Sequence, residues 1–356
     1  AEVPENIPQV IIELTTDNGK TIDKQIITGT QELSFEYLDP GKYKLKAILD
    51  LDRNGVWSPG NFNKKLQPEK IIFYNGTLEV RANWDIDLDE PWKIEKKLKM
   101  NPLYPVIKLR EGKDDAVKRF HPWIFSGAIA KAAPGLQAGD IVTVTNSKDE
   151  ILGTGFCESG NIAVKLLSFE NTKIGAMFWQ ERLNAAFETR KALGFIDNQH
   201  TNCFRLVHSE GDNLPGLIVD IYGKTAVIQA QTEGMALNIN AIAKAIEAIP
   251  ELRIEAIYNK SSEAMQRMGK DAVDDGYILG GKCEKFVLEN DSKFLIDWEE
   301  GQKTGFFLDQ RFNRDLVRQL AKGRTVLNTF CYTGGFSVTA LQGGAKQVVS
   351  VECSKT

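Results

Sequence analysis

Thr325-Val-Leu-Asn-Thr-Phe-Cys-Tyr-Thr-Gly-Gly-Phe-Ser-Val-Thr-Ala-Leu-Gln342, followed by Gln347-Val-Val-Ser-Val-Glu352, decides the fold of the C-terminal part. Thr325 to Phe330 is a short, mainly apolar run of strand length. Cys331 to Phe336 is a glycine turn. From Ser337 the sequence turns helical, and Gln347 to Glu352 is a second buried strand. The order β–turn–α–β opens a doubly wound parallel sheet, and such sheets bind ligands beyond the carboxyl ends of their strands. Gly334 and Gly335 let the backbone come close to a ligand, because no Cβ intervenes. Glu352 ends the second strand, where a carboxylate can accept hydrogen bonds from both hydroxyls of a ribose. A lone Gly-Gly is an ordinary tight turn; the turn together with Glu352 predicts a nucleoside-bearing cofactor.

A dinucleotide would favour Gly-x-Gly-x-x-Gly, with its pyrophosphate on the helix N-terminus. The turn here lacks that spacing, which makes a nicotinamide dehydrogenase the weakest alternative. S-adenosylmethionine carries no phosphate, so a looser glycine turn suffices. Just upstream, Gly301-Gln-Lys-Thr-Gly-Phe-Phe-Leu-Asp-Gln-Arg-Phe-Asn-Arg is dense in polar groups around aromatic pairs. Phe306 and Phe307 can pack on a planar base or in the core. Asp309 and Arg311 can pair with each other or meet a ligand. A helix capped by Thr304 or Asp309 accounts for the same residues. That helix is expected from about Gln310 to Leu320.

The rest of the chain divides into unlike parts. Residues 1 to about 90 read as short alternating strands: Val10-Ile-Ile-Glu-Leu-Thr, Gln25-Ile-Ile-Thr, Leu33-Ser-Phe-Glu-Tyr-Leu, Tyr43-Lys-Leu-Lys-Ala-Ile-Leu, Ile71-Ile-Phe-Tyr and Thr77-Leu-Glu-Val-Arg-Ala. Turn signals separate them, which predicts a β-sandwich. Asp50-Leu-Asp-Arg-Asn-Gly is like the start of a calcium loop, but its twelfth position is Asn61 where a bidentate Glu is needed. An Asx-stabilised turn is the preferred reading, and no metal is expected. Residues 91–102 are charged and read as a linker. Glycine-punctuated strands at Tyr104–Leu109, Asp140–Thr145, Ile151–Phe156 and Ile162–Leu167 predict a small barrel. A helix over 174–193, strands at 203–207, 217–220 and 226–230, a helix over 233–248 and a strand at 256–259 predict a compact α+β unit.

Composition bounds these readings. The chain has 356 residues, 42% hydrophobic and 26% charged, which excludes a disordered chain, a collagen and a coiled-coil rod. A net charge of −4 excludes a strongly basic nucleic-acid binder but not a local basic groove. No apolar run is long enough for a membrane helix. The five cysteines are scattered, with no Cys-x-x-Cys pair, so neither a disulfide framework nor a zinc site is expected and a reducing compartment fits. Residues 101–175 hold nine Lys/Arg and eight Asp/Glu, which is no electrostatic footprint alone. Lys108, Arg110, Lys118, Arg119 and His121 can still line one RNA-facing surface. Core packing is the expected role of Trp123.

Two resemblances organise these parts. Leu38-Asp-Pro-Gly-Lys-Tyr, Asp50 to Gly55 and Glu79-Val-Arg-Ala-Asn-Trp resemble the terminal immunoglobulin-like domain of Bacteroidetes surface proteins. His121-Pro-Trp-Ile-Phe-Ser-Gly-Ala-Ile, Arg205-Leu-Val-His-Ser-Glu-Gly-Asp-Asn-Leu-Pro-Gly-Leu-Ile-Val-Asp, Gly301 to Arg314, and Val326 to Ser337 stand in the order found in another family. Residues 103–356 thereby resemble the class I S-adenosylmethionine-dependent rRNA methyltransferases of the large-subunit methyltransferase I type. The resemblance implies a multidomain chain: an immunoglobulin-like β-sandwich (1–90), a linker (91–102), a PUA-like RNA-binding β-barrel (103–172), a central α+β domain (173–288) and part of a Rossmann-like α/β methyltransferase domain (289–356).

It also implies S-adenosylmethionine as cofactor, large-subunit rRNA as partner and methylation of cytosine C5. A cytoplasmic setting follows for this part, and a homodimer is left open. On the family's motifs, Asn328, Phe330, Tyr332, Thr333, Gly334 and Gly335 form the first cofactor motif. Glu352 is the ribose-binding acid. Gln302, Lys303, Thr304, Phe306, Asp309 and Arg311 close over the cofactor. Methylation at C5 needs a thiolate that adds to C6 and a base that later removes the C5 proton. The family's nucleophilic Cys is expected beyond Thr356, and neither Cys331 nor Cys353 matches it. The expectation is a truncated chain with weak cofactor binding, no turnover and an unpaired sheet edge. A non-catalytic RNA-binding protein and an exported binding module are the alternatives.

Overall fold

The computed structural model describes the chain except residues 4–6, 60–67, 77, 83–85, 87, 89–90, 95–100, 268, 270–273 and 354–356. Asn61, Asn83, Trp84 and Met100 therefore lie outside the described residues. The chain forms two compact units, 1–100 and 101–356.

The first unit is built on β1 (Val10–Thr16), β2 (Thr21–Ile27), β3 (Gly41–Leu49), β4 (Ile71–Phe73) and β5 (Leu78–Val80). They form one antiparallel sheet in the order β2-β1-β3-β4, with β5 also on β3. Val10, Ile12 and Leu14 stand opposite Leu49, Ala47 and Leu45, so one face of each strand feeds a common core. Where a sandwich was expected, the described residues show a single sheet. The expected strand at Leu33–Leu38 joins no ladder. Leu33, Phe35 and Leu38 instead pack on the core as a covering segment, so the alternation reports inward side chains without strand pairing. The linker reading also needs correction at its start. Trp92 and Ile94 are buried in this core, and Lys93 bridges to Glu2.

The second unit begins with β6 (Val106–Leu109), α1 (Asp115–Lys118), β7 (Trp123–Phe125), β8 (Ile129–Ala132), β9 (Ile141–Thr145), β10 (Ile151–Cys157) and β11 (Ile162–Ser168). The sheet order is β7-β11-β10-β9-β6-β8. Period-two burial of Ile107, Leu109, Val142, Val144, Val164 and Leu166 makes its core. β10 needs Gly155, since a Cβ there would sit 2.2 Å from the Lys165 carbonyl of β11.

The central part follows: α2 (Ala176–Ala192), β12 (Cys203–His208), β13 (Leu217–Tyr222), β14 (Thr225–Ala230), α3 (Glu233–Leu237), α4 (Ile239–Glu247), β15 (Ala256–Asn259), α5 (Ser262–Arg267) and β16 (Gly276–Leu279). The expected helix over 233–248 is thus two pieces that meet at Asn238. The sheet runs β12-β13-β14-β15-β16, and the crossover through α3 and α4 makes β14 and β15 parallel.

Both faces of this sheet are covered. On one, α2 and α4 pack over Leu206, Val219 and Ile228. On the other, Cys203, Tyr222, Val227 and Tyr258 meet Val287, Phe294, Ile296, Trp298, Phe306 and Leu308. The second set comes from the hairpin β17 (Phe286–Glu289) and β18 (Ser292–Leu295) and the loop after it. The expected boundary at 288/289 falls inside this hairpin.

Next come α6 (Arg311–Leu320), β19 (Thr325–Thr329), α7 (Gly335–Gln342) and β20 (Gln347–Val351). β19 and β20 pair in parallel, in register from Thr325–Gln347 to Thr329–Val351. The β–turn–α–β order of the opening stretch is what the structure contains, but the expected burial of its strands is not: no residue of β19 or β20 is buried, because neither strand is covered on its faces as the central sheet is. No helix among the described residues is long and apolar enough to cross a membrane.

Candidate functional site

At the carboxyl ends of β19 and β20 lies a cavity of about 470 Å³. Two loops and the helices α6 and α7 contribute to it. The first loop, Phe330 to Gly334, turns sharply, with φ of 57° at Phe330, 49° at Tyr332 and 79° at Gly334. Two non-glycine residues in the left-handed region mark stored backbone strain, which persists only where surroundings enforce it. Here Glu352 does so in part: its carboxylate accepts the Tyr332 N–H at 2.6 Å. The Tyr332 hydroxyl in turn accepts the Gln302 N–H at 3.0 Å, tying the turn to the second loop.

The second loop carries Gln302, Lys303, Phe306, Phe307 and Asp309 to the cavity wall. Lys303 lies 4.3 Å from the centre of the Phe307 ring, and Phe307 meets Tyr332 edge-on. Burial works against the Asp309 charge, but the Gln310 amide and the Lys303 and Arg205 charges outweigh it. They hold the carboxyl below its usual range. From α7 come Gly335 and Phe336, and from α6 the buried Arg314. Its guanidinium donates to Glu289 at 2.6 and 2.8 Å and lies 4.3 Å from the centre of the Phe306 ring.

Of the residues singled out in the sequence, Gln302, Lys303, Phe306, Asp309, Phe330, Tyr332, Thr333, Gly335 and Glu352 line this cavity. Four do not. Asn328 donates to the Ser337 hydroxyl at 2.8 Å. Gly334 forms the left-handed step that opens α7. Arg311 turns away to Glu289 and to the Cys203 carbonyl. Thr304 is buried against the central sheet, donating to Asp220 at 2.6 Å. Gln310, Arg314, Cys331 and Phe336 also line the cavity and were missed as site residues, and Phe307, read as packing on a base or in the core, joins them. All five lie inside the quoted motifs, so position within a motif was the signal.

The five basic candidates are less concentrated. Lys108 pairs with Asp149 and Lys118 with Asp114, each at 2.8 Å. Arg110 donates to the Ile129 carbonyl, while Arg119 and His121 are exposed. Trp123 is not the core residue expected. Half-buried, it donates its indole N–H to Glu210 of the central part at 2.8 Å, and its ring meets His121 edge-on. The Asp50 loop is a hydrogen-bonded turn: Asp50 accepts the Asn54 and Gly55 N–H groups. Glu69, which spacing did not single out, brings its carboxylate within 4.8 Å of those of Asp50 and Asp52 while accepting the Leu51 and Ser58 N–H groups.

A strained glycine turn and an acid, at the carboxyl ends of neighbouring parallel strands, define a cofactor site of the nucleotide-binding α/β class. The family is more particular. Residues 107–169 match the model of a PUA-like domain, and residues 205–356 match that of an S-adenosylmethionine-dependent methyltransferase. The cofactor of that family is S-adenosylmethionine. The chain is similar to the ribosomal RNA large subunit methyltransferase I of Erwinia tasmaniensis, with 34% identity over 252 residues, 69% of this chain and 62% of the relative. To that of Pseudoalteromonas atlantica it is 35% identical over 254 residues, 70% of this chain and 62% of the relative. The chain thus spans 62% of the length of these two curated relatives. Its fold is like that of a candidate methyltransferase solved in complex with SAH, at 23% identity and a TM-score of 0.60, covering 70% of this chain and 63% of that one.

The cavity fits the cofactor. Its wall sets the exposed Phe330 ring and Tyr332 beside the Glu352 carboxylate, the kinds of group that a planar base and a hydroxyl-bearing sugar call for. Gln302, Lys303 and Asp309 add polar groups to the wall.

Proposed function

We propose that residues 101–356 form the RNA-binding, central and cofactor-binding parts of an S-adenosylmethionine-dependent methyltransferase that modifies large-subunit rRNA, with cytosine C5 as the target atom. The observation that supports this best is the meeting of three elements at one cavity: the 330–335 turn, Glu352 and the 302–309 loop. When bound, S-adenosylmethionine supplies an electrophilic methyl group. Glu352, already fixed by the Tyr332 N–H, orients the ribose. Phe330 and Tyr332 flank the base, and Phe307 helps exclude water from the wall. An rRNA substrate puts this part in the compartment of the ribosome.

Chemistry at C5 also calls for a thiolate. Burial pushes the Cys203 thiol up to about 12 and raises that of Cys157, so neither serves as the nucleophile. The role proposed for the cavity residues is to hold the methyl donor.

Calorimetric titration tests the reading. The chain should bind S-adenosylmethionine saturably, and Glu352→Ala should weaken binding by about tenfold, as loss of a charged hydrogen-bond acceptor does. No binding, or binding of a nicotinamide dinucleotide instead, overturns it. If the chain binds rRNA but not S-adenosylmethionine, the non-catalytic RNA-binding reading takes its place.

A further inference from the structure

We infer that Thr304 and Asp220 are positioning residues for the cofactor pocket, a latch by which the central sheet sets the shape of the loop that closes it. The inference rests on the S-adenosylmethionine reading of the cavity.

Thr304 belongs by sequence to the cofactor motif, yet its side chain faces away from the cavity. It is 1% exposed and reaches across to β13. Its hydroxyl donates to Asp220 at 2.6 Å and lies 3.0 Å from the Tyr222 hydroxyl. Asp220 is wholly buried, so its charge needs fixed partners. Arg205, its cross-strand neighbour, supplies two at 2.8 and 2.9 Å, and Thr304 supplies the third. The Tyr222 hydroxyl adds a bond to the Phe306 carbonyl at 3.4 Å. Charge-assisted bonds of this kind are the strong ones. They hold a loop whose neighbouring residues, Gln302, Lys303 and Phe306, are cavity wall.

The loop has no slack to take up a loss at Thr304. Lys303 sits at φ 53° and Gly305 at φ 116°. A Cβ on Gly305 would lie 2.9 Å from Ile296 and 3.0 Å from the Trp298 backbone. A strained segment pressed between the hairpin side and the cavity keeps its shape only while its anchors hold. Loss of the Thr304 bond thereby bears on the neighbouring wall residues Gln302, Lys303 and Phe306. The central sheet is therefore part of the binding apparatus although none of its own residues lines the cavity.

The test compares wild type with Thr304→Val, Thr304→Ser and Tyr222→Phe in the full chain. Each is titrated with S-adenosylmethionine and SAH by calorimetry, well below its own unfolding midpoint measured on the same sample. Thr304→Val keeps shape and loses the hydroxyl, so both ligands should bind about tenfold more weakly or worse. Thr304→Ser restores the hydroxyl and should bind within about twofold of wild type. Tyr222→Phe, which leaves Asp220 and Thr304 paired, should fall between them. It also carries the test if Thr304→Val does not fold. A folded Thr304→Val or Tyr222→Phe protein that is less stable yet binds as wild type overturns the inference, because a merely structural bond lowers stability without touching affinity. Thr304→Ser binding no better than Thr304→Val overturns it too. Wild type that binds neither ligand overturns the cofactor reading itself, an outcome distinct from equal binding by all forms.

Discussion

The sheet β12–β16 and the parallel pair β19–β20 are made of similar apolar strands, yet only the first is covered. Every residue of β13 is buried, because α2 and α4 lie on one face and the β17–β18 hairpin with its following loop on the other. In β19 and β20 no residue is buried: Leu327 is 66% exposed, Val349 42% and Val351 51%. Parallel strands ordinarily stand buried on both faces. The covered sheet is therefore a packed core of the second unit, and the open pair carries the turn that lines the cavity. The loop 301–309 joins the two regions, anchored in one and lining the site of the other.

The largest effect should come from the seam. Glu289, at the end of β17, is buried and holds both Arg311 and Arg314 of α6. Glu289→Leu leaves two guanidinium groups without it and should cost about 3–5 kcal/mol in urea unfolding. A cost under 1 kcal/mol would mean that α6 is not held by this pair.

Truncation on either side of the seam should differ sharply. Leu217→Ala in the covered sheet should cost about 2–5 kcal/mol, since it opens a cavity in a packed core. Leu327→Ala should stay within about 0.5 kcal/mol. Equal costs would break the comparison. Hydrogen exchange sharpens it further, with β13 amides exchanging only on global unfolding and β19–β20 amides through local opening.

Thiol chemistry gives a smaller, cleaner contrast. Cys203 is buried in β12, with its thiol pushed up to about 12, and should resist alkylation in the native chain at pH 8 (a condition of the order of the ordinary thiol value). Exposed Cys353, just past β20, should react. Mass mapping of modified cysteines decides it.

The smallest effect is the acid dependence of Asp309. Its folded carboxyl is held below the usual range, so the stability it contributes is present above the ordinary Asp value of about 4 and lost as pH falls through the folded value. Asp309→Asn should flatten the acid limb of the unfolding curve slightly, because the side chain is more than half exposed. An unchanged limb would show that Gln310 and Lys303 do not hold the charge.

Sequence alone determined the β–turn–α–β unit, the helix α6 to within a residue of its start, and the motif stretches whose residues line the cavity. These are local matters: apolar runs of strand length, a Gly-Gly turn and one acid set how nearby backbone must fold. Only the tertiary structure decided which motif residues face the cavity. Thr304 and Phe306 are two residues apart, yet one turns to Asp220, 84 positions earlier, and the other to the cavity and Arg314. It likewise decided that Leu33–Leu38 covers a sheet instead of joining it, and that Trp123 reaches Glu210. Periodicity records which side chains must leave water. It does not record what they will meet there, because that partner is supplied by distant parts of the chain through packing and buried charge.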